Sequence, residues 1–99
     1  MSETLQDQPA QPEDKQTALK EIYDALDEVD RAMAHTIAIK ADLEKEIGEL
    51  QTKGTLSEEE NIRLDELKDH KTMQDVKINE LKDKIVRLTY EEKQLLSRQ

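Results

Sequence analysis

The chain has 99 residues, 34% of them hydrophobic and 39% charged, with no Phe, Trp or Cys and a net charge of −9. That length allows a single domain. With Tyr23 and Tyr90 as the only aromatics, it has little with which to fill a globular core. The missing cysteines exclude disulfides and thiolate metal sites, and no apolar run reaches the roughly 20 residues needed to span a bilayer. The acidic, apolar-poor start Met1-Ser2-Glu3-Thr4 does not resemble a secretory signal, so cytoplasmic residence, in a cell or a host cell, is the expectation.

Residues 1–11 show no periodicity, have one large apolar side chain in Leu5, and are expected to form a disordered tail. Pro12 suits a first helical position, and Glu13 and Asp14 follow where the helix dipole favours acids. A first helix is predicted over about 12–52. Lys53-Gly54-Thr55-Leu56 breaks it, with Gly54 placed where a left-handed residue ends a helix. Ser57-Glu58-Glu59-Glu60 then reads as a capping box, opening a second helix that runs to about residue 98.

Both segments carry heptads. The a and d positions are Leu19, Ile22, Leu26, Val29, Met33, Thr36, Lys40, Leu43, Ile47 and Leu50 in the first. In the second they are Leu64, Leu67, Lys71, Gln74, Ile78, Leu81, Ile85, Leu88, Glu92 and Leu95. Fifteen of the twenty are apolar, which marks coiled-coil packing. The short break makes the helices antiparallel neighbours, so the expected fold is an all-α hairpin. A register in which facing residue numbers sum to 114 pairs Ile47 with Leu67 and Leu26 with Leu88, and sets Lys40 beside Gln74. It also brings Glu44 to Lys68 and Asp30 to Lys82, against one mismatch, Ile22 facing Glu92.

Three features are candidates for function. Thr36, Lys40, Lys71 and Gln74 form a polar stretch of the seam, as a register pin would. Off the seam, Ile62, Met73, Val76, Val86 and Tyr90 lie on the back of the second helix. Ala18, Ala25, Ala32 and Ile39 recur every seven residues beside the first seam, and Ala34, Ile37, Ala38 and Ala41 add apolar surface at mid-helix. Since a lone hairpin buries little, these faces point to a four-helix-bundle dimer or a protein partner. The third feature is acidic: Glu21, Asp24, Asp27, Glu28 and Asp30 follow one another with no base among them.

Charge is unevenly spread, with residues 1–52 carrying a net −8 and residues 53–99 a net −1. That sign opposes direct binding to nucleic acid. His35 and His70 lack the Glu-x-x-His spacing of di-iron bundles, and no phosphate loop or calcium loop is present, so neither cofactor nor metal is expected. A chain folded once on itself also has no room for an enclosed reaction site or small-molecule substrate, which argues against an enzyme. The leading expectation is a coiled-coil interaction or adaptor protein. The alternative is an acidic inhibitor, of the phage or anti-defence kind, whose Glu21–Asp30 face covers a target's basic nucleic-acid-binding surface.

Overall fold

The computed structural model describes residues 12–98; the tail expected over 1–11 lies outside the described residues. Helix α1 spans Pro12–Gln51 and α2 spans Glu58–Leu96, packed antiparallel along their length into an elongated hairpin of 78 × 23 × 15 Å.

The turn forms as its residues dictate. At the end of α1 the Thr52 N–H donates to the Gly48 carbonyl at 3.0 Å and the Lys53 N–H to Leu50 at 3.2 Å. Gly54 then takes φ +86°, a left-handed conformation that costs a Cβ-bearing residue about 1–2 kcal/mol. Ser57 Oγ accepts from the Glu60 N–H at 3.1 Å, and Glu60 Oε1 accepts from the Ser57 N–H at 3.0 Å. The other oxygen of Glu60 accepts from the Lys53 ammonium, tying the turn to the first coil of α2. Hydrogen bonds from Lys53 and then Ser57 hold the Glu60 carboxyl below its ordinary range. At the far end α2 stops two residues short of the predicted boundary, where the Ser97 hydroxyl donates to the Gln94 carbonyl.

All twenty seam positions are buried or half-buried, as 3.5-residue periodicity requires. Leu43, Ile47 and Leu67 form the best-buried cluster, with Ile39, Leu50 and Leu64 packed against it near the turn. That set matches the register summing to 114. The single mismatch in that register is relieved by a side-chain contact. Glu92 does not face Ile22 but swings aside, accepting from the Tyr23 hydroxyl at 2.7 Å, and Ile22 stays 7% exposed. One flanking acid settles one helical turn from where charge pairing by level put it. Glu44 meets Lys71 at 3.6 Å rather than Lys68, and Lys40 meets Asp75 at 2.6 Å. Asp30 and Lys82 form no ion pair among the described residues.

Candidate functional surfaces

The polar stretch of the seam is not one network. Thr36, 2% exposed, satisfies its hydroxyl within its own helix by donating to the Ala32 carbonyl at 2.8 Å. Lys40 and Lys71 run their stems along the seam and place their charges at its edge, on Asp75 and Glu44. The Asp75 carboxylate raises the Lys40 pKa, and Lys40 in turn lowers that of Asp75. Gln74 is left behind. It is 8% exposed, and its Oε1 has no partner among the described residues. A carbonyl shut away from donors lowers stability.

Off the seam, the back of α2 is bare. Ile62, Met73, Val76, Val86 and Tyr90 are all between 52% and 67% exposed. Within the seam itself, α2 buries only Leu67 and Gln74, while Ile78, Leu81, Ile85, Leu88 and Leu95 are half-covered. On α1, Ala18, Ala25, Ala32 and Ile39 are half-buried beside the seam, whereas Ala34, Ile37, Ala38 and Ala41 are exposed. Sequence periodicity located these residues but did not separate them: the alanine ladder is partly used within the hairpin, and the mid-helix patch is not.

The cross-links between helices define two broad faces. Tyr23–Glu92, Lys40–Asp75 and Glu44–Lys71 all bridge one edge of the seam. Glu46–Arg63 bridges the other, at 3.2 Å. Along that second edge, toward the open end, runs a shallow groove of about 460 Å³. Ala18, Ile22, Leu88 and Leu95 line its floor, and Glu21, Glu91, Gln94 and Arg98 its rim. The small Ala18 side chain leaves the space.

The acidic segment is less bare than its composition suggests. Lys20 closes on Asp24 at 3.0 Å and Arg31 on Asp27 at 2.8 Å, each one turn away on α1. Two of the five acids are thus partly neutralised by the bases that flank the run, leaving Glu21, Glu28 and Asp30, all exposed. His35 and His70 are exposed, and the described residues bring together no group of three or more His, Cys, Asp or Glu able to hold a metal ion. No described helix is long and apolar enough to cross a membrane. No family model matches the chain, and no similar protein was found among curated proteins or solved structures.

Proposed function

We propose that this chain is a non-enzymatic helical interaction module, acting through helix-on-helix packing with itself or with a partner protein. One observation carries the reading. Helix α2 is apolar on two sides and the hairpin covers one of them, leaving Ile62, Met73, Val76, Val86 and Tyr90 half or more in water. Large side chains in such number on one 39-residue helix mark a surface that another element covers. The alternative, an acidic inhibitor of a basic surface, is weakened by the pairing of Asp24 and Asp27 within α1.

Among the described residues, Tyr23, Ile37, Ile62, Met73, Val76, Val86, Tyr90 and Leu96 are the large hydrophobic side chains that stand exposed. Replacing all of these but Tyr23 with Gln leaves the seam and the Tyr23–Glu92 bond untouched and should keep the helical circular-dichroism spectrum. Self-association by sedimentation and capture of proteins from the native host are then compared with the parent. Loss of both, with the parent's association surviving 1 M salt, supports the reading. A parent that associates with nothing, or whose capture disappears at 1 M salt where screening reaches about 3 Å, overturns it.

A further inference from the structure

The two broad faces of the hairpin differ in apolar content. Beyond the groove edge, α1 presents the exposed acids Glu21, Glu28, Asp42 and Glu49, and α2 presents the exposed bases Arg63, Lys77, Lys84 and Arg98 beside them, with Met73 as the one large exposed apolar side chain among the described residues. The other face has another character. The residue after each d position lies on it, as the Tyr23, Glu44 and Asp75 cross-links show. On α1 that row reads Tyr23, Asp30, Ile37, Glu44; on α2 it reads Lys68, Asp75, Lys82, Thr89, Leu96. Tyr23 is 46%, Ile37 50% and Leu96 53% exposed, and Val86 beside them is 67% exposed. The same rows carry two acids on α1, Asp30 and Glu44, and on α2 the bases Lys68 and Lys82 with Asp75 between them, whose charge is met by Lys40. Glu44 is engaged by Lys71 at 3.6 Å, while Asp30, Lys68 and Lys82 join no ion pair among the described residues.

We propose that this face docks a second copy of the chain, with the two-fold axis parallel to the hairpin and both turns at one end. The proposal rests on the helix-packing reading above and gives it one partner and one surface, which takes in Val86 and leaves Ile62, Met73, Val76 and Tyr90 outside it. Charge selects the orientation. With the axis along the hairpin, α1 of each copy lies over α2 of the other at the same level, so Asp30 meets the partner's Lys82 and Glu44 approaches the partner's Lys68. With the axis across the hairpin, α1 lies on α1, and the acids of each copy face acids. The other broad face offers a copy less to bury, since Met73 is the one large exposed hydrophobic side chain on it among the described residues. Isologous pairing also closes, so no open filament follows. The face is large enough: about 60 Å of helix by roughly 20 Å for two helices side by side gives about 1,200 Å². Stable interfaces need about 800 Å² per partner. The product is a four-helix bundle with Tyr23, Ile37 and Leu96 turned inward.

Two single reversals test it. Asp30→Lys and Lys82→Glu touch neither the seam nor an existing ion pair, so each variant should fold as the parent does. Each should weaken self-association about tenfold, because two attractive contacts per dimer become repulsive. Mixed in equal amounts, the two variants should form a heterodimer, in which every 30–82 contact is again of opposite sign. As a second measurement, single spin labels at Thr55 should lie about 20–30 Å apart in the dimer, against about 60 Å or more if the turns sit at opposite ends. Ile37→Glu should also abolish the dimer with helicity intact. Variants that dimerise like the parent, or turn labels a helix length apart, overturn the proposal while leaving helix packing through another face in place. A folded parent that stays monomeric at hundreds of micromolar overturns it too and assigns the apolar surface to a different protein. Failure of the broader reading looks different, since the parent then captures nothing at all.

Discussion

Replacing Gln74 with Leu tests whether the buried seam was built for stability or for register. Gln74 is 8% exposed with its carbonyl oxygen unpartnered among the described residues, in a seam otherwise lined mainly by Leu and Ile. An orphaned polar group costs about 1–3 kcal/mol. Leu has two more apolar carbons than the aliphatic part of Gln, worth about 1.6 kcal/mol at roughly 0.8 per buried methylene. Allowing for imperfect packing, Gln74→Leu should stabilise the fold by about 2–3 kcal/mol. For a chain of this length that is a rise of about 10 °C in melting temperature. Gln74→Ala is the control: it loses about as much methylene burial as it gains by removing the orphan, and should be near neutral. Urea unfolding followed by circular dichroism at one fixed protein concentration measures both, with an unchanged m-value as the check on comparability. Destabilisation by 1 kcal/mol or more in the Leu variant would refute the reasoning, because it would mean that the Gln74 amide is satisfied in solution.

Other positions give independent expectations. A Cβ built at Gly48 meets nothing within 4 Å, so Gly48→Ala should stabilise α1 by about 1 kcal/mol in the same unfolding assay. Gly54→Ala should destabilise by about 1–2 kcal/mol, since φ +86° is strained for any residue with a Cβ. Glu60 has its folded pKa depressed by Lys53 and Ser57, so its contribution is present above the unfolded carboxylate pKa and lost as pH falls through the folded one. Glu60→Gln should therefore be less stable than the parent at pH 7 and indistinguishable from it near pH 2, by thermal melts across that range.

The hairpin was legible in the sequence because each of its determinants is local or periodic. Gly54 and the Ser57–Glu60 box specify the turn by backbone chemistry, and the twenty heptad positions specify the seam by geometry alone. Side-chain destinations were less legible. Heptad lettering gives the level of a residue along the seam but not its rotamer. A lysine stem spans a helical turn, so Glu44 took Lys71 in place of Lys68 and Lys40 reached Asp75. The rescue of Ile22 by the Tyr23 hydroxyl needed a contact across the seam between Tyr23 and Glu92, which no spacing rule encodes. At the candidate surfaces, periodicity found the apolar back of α2. The gathering of Tyr23, Ile37, Val86 and Leu96 onto one broad face appears only once the helices are set side by side.

The most direct test of the account is the distance between the outer ends of the two helices within one chain. Spin labels at Thr17 and Gln94, both exposed, are placed on the same molecule and diluted into unlabelled protein so that only intrachain distances register. The folded hairpin predicts a separation of about 20–30 Å including the label tethers. A separation near 115 Å, the length of 77 residues at 1.5 Å each, would mean one continuous helix and would contradict the hairpin and every surface derived from it.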